Sequence, residues 1–587
     1  MPLQHTDAGP VWNPLTKIVV VGPGIVGMPM AALLADARVR DGTHSPAAVV
    51  VLQRNSPSSG WKVDAINAGI SPIGGVEPDL AVIVQRSVAD GTLSATHDPA
   101  TVRNADVILF SVQTDKNGTA PDYGPLFGAV DAVIAELVQR APGFTPLIVF
   151  ESTLAPSTLA TVMQPRFLAA GLMDGRDILL AHSPNRVMPG RLVERVAKSD
   201  KLVAGLTPDA TRLTARLYRH IVRHGALHET NAVSAEMAKT LENAYRDVRI
   251  ALAAELAAHC DSQDIDFFAL RDAVNREVAD ADDASESPFA IPTGALLVPM
   301  IGVGGHCLPK DGVLLWWRAL EAGGAHPPST ILTSRIINDA GPSRAMQRHA
   351  EQLRGLAGRT VAILGAAYRG DAEDTRNAPG ITLAHVLRSA GCTVRLHDPH
   401  VRHDDPNLKA QRLDGVFSSD VDATLDGADG VVLATPHVAY RAVVASLVER
   451  ASSRPVFDGV QLIPRALRHT AGIDAIGIGR NTPSSTLIAE SAQAVRVVAR
   501  AVSREVTWLA GQLNRQFHFA DYGAADAEAV FRLVRTCPTG CDLPSPSMTL
   551  PDGASPWQSS LLVRCARDWG SEVQPALPVR AGAESHR

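Results

Sequence analysis

The sequence predicts an α/β protein of two doubly wound parallel-sheet domains joined by a long central helix, with a C-terminal extension beyond them. Three patterns carry this expectation. Short, nearly uninterrupted β-branched runs alternate with Ala- and Leu-rich stretches over residues 16–222. An Ala-rich stretch of helical period follows from about Ser234, and a second alternating set fills residues 329–480.

In the first set the runs are Lys17-Ile18-Val19-Val20-Val21, Ala48-Val49-Val50-Val51-Leu52, Asp106-Val107-Ile108-Leu109-Phe110 and Leu147-Ile148-Val149-Phe150. Strands apolar on both faces belong in a parallel sheet covered by helices on both sides. The central region, 223–328, carries Met237, Leu241, Ala244, Val248 and Leu252 at helical spacing, in a helix long enough to act as a spine between domains. The second set, Thr360 to Leu364, Val394 to Leu396, Gly430 to Leu433 and Val456-Phe457, reads as a smaller αβ domain ending near Arg480. Residues 1–15 are expected to be an N-terminal tail. Residues 481–587 are expected to hold one helix around Ala492 to Leu513 and to be partly disordered, with little periodicity after about Thr536.

Composition narrows the partners. The 587 residues are enough for three or four units with cores of their own. With a net charge of -6 and scattered basic residues, neither nucleic acid nor an anionic membrane is an expected partner, and a small molecule is. No apolar stretch approaches the roughly 18–20 residues of a bilayer span, and Met1-Pro2-Leu3-Gln4-His5 is no secretory leader, so a cytoplasmic protein is expected. Six cysteines are too few for a disulfide framework. Cys537 and Cys541, with Cys565 beyond them, are loosely spaced without a clear fourth ligand, and no metal is expected.

Gly22-Pro23-Gly24-Ile25-Val26-Gly27 follows a strong strand and opens a helical run. In that setting the glycines allow a tight turn and a close approach of backbone N–H groups to a pyrophosphate, and the helix N-terminus adds partial positive charge. A dinucleotide is the expected ligand. The second strand ends in Gln53-Arg54-Asn55, without the carboxylate that usually holds the ribose hydroxyls. Gln53 can bond a ribose and Arg54 can meet a 2′-phosphate or lie in solvent, so NAD is preferred to NADP without being dictated.

Glu236, Lys239, Asn243 and Arg246 lie on one stripe of the long helix. Such a stripe is often a solvated face, but on a helix buried between domains it faces a cleft, where Lys and Asn can stabilise an oxyanion. Gly302-Val303-Gly304-Gly305-His306-Cys307-Leu308-Pro309-Lys310-Asp311 points further in that direction. Glycines let this loop close around a ligand, while Lys310 and Asp311 bring a cation and a carboxylate beside Cys307, favouring a nucleophile and a positioned water. His306 reads as a structural hydrogen-bonding residue rather than a base.

Taken together with Asn67-Ala68-Gly69, Ser71-Pro72-Ile73, Glu77-Pro78, Glu151-Ser152-Thr153, Ser183-Pro184-Asn185-Arg186-Val187-Met188-Pro189-Gly190, Ala367-Tyr368-Arg369, Asp374-Thr375-Arg376 and His397-Asp398-Pro399, these motifs resemble the UDP-glucose/GDP-mannose dehydrogenase family from Lys17 to Arg480. The resemblance implies two Rossmann-like domains, an N-terminal one for NAD and a C-terminal one for the nucleotide diphosphate of a UDP-sugar or other nucleotide sugar. It also implies a homodimer built on the central helix. By the same resemblance, Cys307 attacks the C6 aldehyde left by a first hydride transfer, and a second gives a thioester. Lys239 and Asn243 stabilise the oxyanion, and Asp311 and Thr153 hold the hydrolytic water. Asn185, Gly304, Gly305, Arg246 and Arg369 face the substrate, while Thr114, Lys310 and Arg376 join Gly22, Gly24, Ile25, Val26, Gly27, Gln53 and Arg54 at the cofactor.

Three departures stand out. Asn185 is an amide where the family has a carboxylate, so it cannot take a proton and thioester hydrolysis is the step most exposed. Asp458-Gly459-Val460 lacks the family's following arginine, and Ala254-Glu255 replaces Asn-Glu on the helix. The leading expectation is oxidation of a UDP-N-acetylhexosamine such as UDP-N-acetylmannosamine, or of UDP-glucose, to the uronic acid. A single-hydride dehydrogenase, for which Cys307 would be superfluous, and a degenerate nucleotide-sugar-binding regulator or scaffold are the alternatives.

Overall fold

A computed structural model describes residues 4–6, 9–11, 14–75, 77–141, 145–187, 190–283, 295–517, 519, 523–535 and 560–571. The β-branched runs form the strands expected of them. β1 (Lys17–Val21), β2 (Ala48–Leu52), β3 (Leu93–Thr96), β4 (Val107–Phe110), β5 (Leu147–Phe150), β6 (Leu179–His182), β7 (Lys201–Gly205) and β8 (Leu227–Asn231) make one sheet in the order β8-β7-β6-β5-β4-β1-β2-β3. Val21 pairs with Leu52 on one side and Phe110 on the other. The chain thus reverses direction across the sheet between β1 and β4, and that gap is where a doubly wound sheet opens a crevice. β7 runs antiparallel to β6, so the last two strands oppose the rest, an antiparallel edge on an otherwise parallel sheet.

The second sheet is parallel throughout and repeats the winding. β9 (Thr360–Leu364), β10 (Thr393–His397), β11 (Phe417–Ser418), β12 (Gly430–Leu433), β13 (Val456–Asp458) and β14 (Ile473–Ala475) lie in the order β11-β10-β9-β12-β13-β14. Between the sheets, α1 (Gly27–Asp36) having served the first, runs the 31-residue α2 (Ala232–Ser262), capped by the Asn231 side chain accepting from the Ser234 N–H at 2.8 Å. α3 (Phe267–Asp283), α4 (Leu308–Ala322) and α5 (Thr330–Asp339) complete this central layer, and α6 (Pro379–Ser389) covers the second sheet.

Beyond Arg480 the described residues hold three helices where the sequence predicts one. The helix expected around Ala492 to Leu513 extends to the 32-residue α7 (Ser485–Gln516), and α8 (Ala527–Arg535) and α9 (Leu561–Ser571) follow. The extension packs α7 on α3, α8 on α2, and α9 on α5 and α7. Val248, Leu252 and Leu256 of the central helix share one apolar core with Val498, Val502, Val506, Phe531 and Leu562. Buried polar contacts fix the register. Glu505 accepts from the Trp316 indole at 2.5 Å and the Thr330 N–H at 3.0 Å, and Glu255 accepts from the Ser560 hydroxyl at 2.8 Å and the Leu561 N–H at 3.1 Å. Apart from α9, the disorder expected after about Thr536 concerns residues outside those described, as do Cys537 and Cys541. Cys565 is buried on α9, where its sulfur accepts from the Thr333 hydroxyl at 3.6 Å. Within the expected N-terminal tail, Gln4–Thr6 and Gly9–Val11 pair as a short antiparallel ribbon.

Candidate active site

The glycine turn leaves β1 with Gly22 at φ +93°, a conformation that favours glycine, and its N–H bonded to the Leu52 carbonyl at 3.0 Å. A Cβ on Gly27 would collide with the Gly22 carbonyl oxygen, so that glycine permits close helix–strand packing, whereas a Cβ on Gly24 would meet nothing within 4 Å. The space over Gly24, in front of the N-terminus of α1, is where a pyrophosphate fits. Ile25 is 38 % exposed beside it, a large apolar side chain left uncovered at the turn, and Val26 is half-buried. At the ribose end, Gln53 donates to the Ser59 hydroxyl at 2.8 Å and Arg54 is exposed.

The crevice beside β4 is where the three parts of the chain meet. Thr114 spends its hydroxyl on the Thr153 carbonyl at 2.8 Å and accepts at its own carbonyl from His306 Nε2 at 2.6 Å, while Gln113 accepts from Arg376 at 3.0 Å. Burial first, then Lys310 and Arg376, push His306 down to about 4. It is therefore neutral at neutral pH, and its 3.7 Å approach to Asp115 is not an ion pair. The cysteine loop is tied to the second domain by the Gly305 N–H on the Arg376 carbonyl at 2.9 Å and the Asn377 amide on the Gly305 carbonyl at 2.9 Å. A Cβ on Gly304 would stand 2.6 Å from the Tyr368 Cβ, and one on Gly305 (φ +84°) 2.9 Å from its ring. These glycines let the loop lie flat on Tyr368.

Cys307, partly exposed, precedes α4, whose Lys310 and Asp311 N–H groups bond its carbonyl at 3.2 and 2.9 Å. Lys239, Tyr368 and Arg376 all lie close enough to interact electrostatically with its sulfur. Behind it Asp311 is fully buried and accepts from Lys310 at 2.6 Å and Asn243 at 2.6 Å, with the Lys239 ammonium at 3.8 Å. Burial disfavours the Asp311 charge, but Lys310 and Lys239 outweigh it and hold the carboxyl below the usual range. Burial likewise opposes charge on Lys239, and Asp311 and Glu242 overcome it. The Lys239 ammonium and the Asp311 carboxylate thus stay charged in a water-poor site.

Not every expected residue takes the expected position. Glu236 faces away from the crevice stripe, fully buried, accepting from the Ser157 N–H at 2.7 Å and the Leu159 N–H at 2.8 Å. Lys310, expected at the cofactor, is 2 % exposed with its ammonium on Asp311. Arg246, one turn beyond Asn243, and Arg369, beside Tyr368, are half-buried. Asn185 donates to Glu151, a buried carboxylate that also accepts from Lys201 at 3.1 Å and from the Tyr218 hydroxyl. Its neighbour Arg186 pairs with Glu242 on α2 at 2.9 Å and donates to the Leu533 carbonyl of α8 at 2.8 Å. Glu151 enters the sequence reading only as part of the Glu151-Ser152-Thr153 motif, with no role of its own, and Lys201, Tyr218 and Glu242 do not enter it. Asp458 caps its own turn, accepting from the Val460, Leu462 and Ile463 N–H groups.

Three family models match in chain order: the UDP-glucose/GDP-mannose dehydrogenase family's NAD binding domain over residues 16–222, its central domain over 233–340 and its UDP binding domain over 362–465. A UDP-N-acetyl-D-mannosamine dehydrogenase of Pyrococcus horikoshii is 30% identical over 469 residues, 79% of this chain and 99% of that protein. The chain belongs to this family. It is an NAD-dependent oxidoreductase of nucleotide sugars. Another family member, an NDP-N-acetyl-D-galactosaminuronic acid dehydrogenase of Ralstonia nicotianae, is 32% identical over 455 residues, 75% of this chain and 95% of that protein. Among solved family structures, that of UDP-D-ManNAc dehydrogenase from Pyrococcus horikoshii has a TM-score of 0.65 at 28% identity, covering 79% of this chain and 100% of that one. The NDP-N-acetyl-D-galactosaminuronic acid dehydrogenase of Methanosarcina mazei has a TM-score of 0.64 at 29% identity, covering 79% and 96%. The helices α7 to α9 lie beyond residue 465, where the last family match ends.

Proposed function

We propose that this enzyme performs both oxidations of the C6 hydroxymethyl of a nucleotide-diphosphate sugar, yielding the uronic acid through a thioester on Cys307. The observation that carries the reading is the convergence of a partly exposed thiol, the Lys239 ammonium and the Asn243–Asp311 pair in the crevice between the two sheets. The chemistry a bound nicotinamide supplies is hydride acceptance from C6, once at the alcohol and once at the thiohemiacetal. The residues of the chain do the rest. Cys307 adds through its sulfur to the C6 aldehyde, its proton balancing the new hydroxyl, and Lys239 with Asn243 stabilises the oxyanion as it forms. After the second oxidation the carbonyl is held as the thioester. A water positioned by Asp311 and Thr153 attacks it, one oxygen enters the product, and the thiol is released.

For the cofactor, Gly22, Gly24, Ile25, Val26 and Gly27 form the pyrophosphate turn, Gln53 and Arg54 face the ribose, and Thr114, Lys310 and Arg376 border the reacting end. Lys310 acts there through Asp311. Asn185, Arg246, Gly304, Gly305 and Arg369 line the sugar and diphosphate. We take the sugar to be a UDP-N-acetylhexosamine, with UDP-N-acetylmannosamine ahead of UDP-glucose, because the relatives cited above carry N-acetylhexosamine names. A cytoplasmic location is in keeping with Cys260, Cys307 and Cys392 as free thiols. Among the described residues no helix is long and apolar enough to cross a membrane. We also retain the homodimer in this reading, with one constraint: α7 to α9 already cover one side of the central layer, so a second copy docks on the remainder.

The test is NADH formed per sugar consumed, over a panel of UDP- and GDP-sugars with purified protein. Two per sugar is the expected result. One would instead make this a single-hydride dehydrogenase, and none with retained binding a regulator.

A further inference from the structure

The buried carboxylate of Glu151 sits directly behind Asn185, and its surroundings fix what that amide can do. Glu151 follows β5, and its side chain is fully buried. Among the described residues, every side chain that bonds its carboxyl is a donor: Lys201 Nζ at 3.1 Å, the Tyr218 hydroxyl and the Asn185 Nδ2. Lys201 is itself held on the Ser183 carbonyl at 3.3 Å and against the Tyr218 ring, 4.5 Å from its centroid, so it cannot swing away. Burial disfavours the charge on Glu151 and its pairing with Lys201 opposes that, so the carboxyl is kept as the acceptor of this cluster and the Asn185 nitrogen is the end of the amide that faces it. A carboxamide is planar, so its oxygen then points away from Glu151. That oxygen has no partner among the described residues. The segment bearing it is pinned along α2 by Arg186 on Glu242, and Arg186 is near enough to Lys239 to act on its charge.

We propose that Glu151 is a positioning residue: it locks the flip of Asn185 so that Oδ1 is presented to the reacting carbon, accepting a hydrogen bond from the substrate hydroxyl or the hydrolytic water. This rests on the thioester reading above. An amide in this orientation accepts without taking up a proton, so Asn185 aligns its partner while the proton leaves by another route. The role differs from that of a carboxylate at the same place, which would repel Glu151 or share a proton with it.

Exchanging donor and acceptor tests this on the full-length enzyme. Asn185→Asp sets two carboxylates together, and kcat should fall at least about tenfold with a displaced pH profile. Glu151→Gln, whose amide can offer Asn185 either a donor or an acceptor, should lose about threefold. In the double variant Glu151→Gln/Asn185→Asp the glutamine donates and the aspartate turns its second oxygen to the crevice, so kcat should recover to within about tenfold of wild type. A double variant with native Tm but kcat no higher than Asn185→Asp overturns the proposal. Should Asn185→Asp not fold, the double variant is judged alone, and a loss beyond about a hundredfold at native Tm overturns it. Failure of the thioester reading is seen separately, in a wild type that does not yield two NADH per sugar.

Discussion

Lys239 is worth more at this site than a surface lysine because it is buried and held charged by Asp311 and Glu242, with its ammonium already oriented before substrate arrives. Lys239→Met keeps the volume and removes the charge. It should lower kcat by roughly a hundred- to a thousandfold while KM moves little, as steady-state kinetics would report. Asp311 keeps Lys310 and Asn243 as partners in that variant, so a loss of Tm large enough to account for the lost activity would argue for a structural role instead. The residues proposed here as catalytic were legible in the sequence where their signal is local. Gly304, Gly305 and Cys307 share one loop, and Lys239 and Asn243 one helix stripe. Glu151 was not legible as a functional group, since its partners Asn185, Lys201 and Tyr218 lie 34, 50 and 67 positions away. Glu236 misled for the same reason: it shares the stripe's spacing, but its partners at Ser157 and Leu159 turn it inward.

At the scale of elements, α7 is docked through a buried acid. Burial pushes Glu505 up to about 7, against the hydrogen bonds of Ser329, Trp316, Ile331 and Thr330. With an unfolded value near 4.5, the folded chain keeps a proton between about 4.5 and 7 that the unfolded chain has released, so stability falls as pH rises through that window. Urea midpoints from pH 5 to pH 8 should therefore decline more steeply for the wild type than for Glu505→Gln, and parallel declines would count against this assignment. The strands were readable because nearly continuous apolar runs suit a doubly covered sheet. The reversed direction of β7 was not, because the same runs serve parallel and antiparallel pairing alike. The short helices α8 and α9 also escaped notice: two or three turns give too few repeats for a period to show, and their apolar faces have meaning only against α2, α5 and α7. Glu255, in the sequence only the retained half of a pair in which Ala254 replaces the usual Asn, turns out to cap α9.

For the whole molecule, the extension closes the core of the central layer. A chain ending at Thr482 would bare the faces of α2, α3 and α5 that α7, α8 and α9 cover, including Val248, Leu252 and Leu256. Such a truncation should lose stability and bind a hydrophobic dye, because a newly exposed apolar face of this kind drives association. Soluble, fully active protein lacking residues 483–587 would refute that account. The extension also reaches the site, through Leu533 on Arg186, so its loss should depress activity in whatever protein remains folded. The claim on which the mechanism turns is nevertheless a single sulfur, and it is tested most directly by the uronic acid formed by Cys307→Ala. A fall of at least about ten-thousandfold at unchanged Tm is predicted, and formation within about tenfold of the wild-type rate would contradict the thioester route.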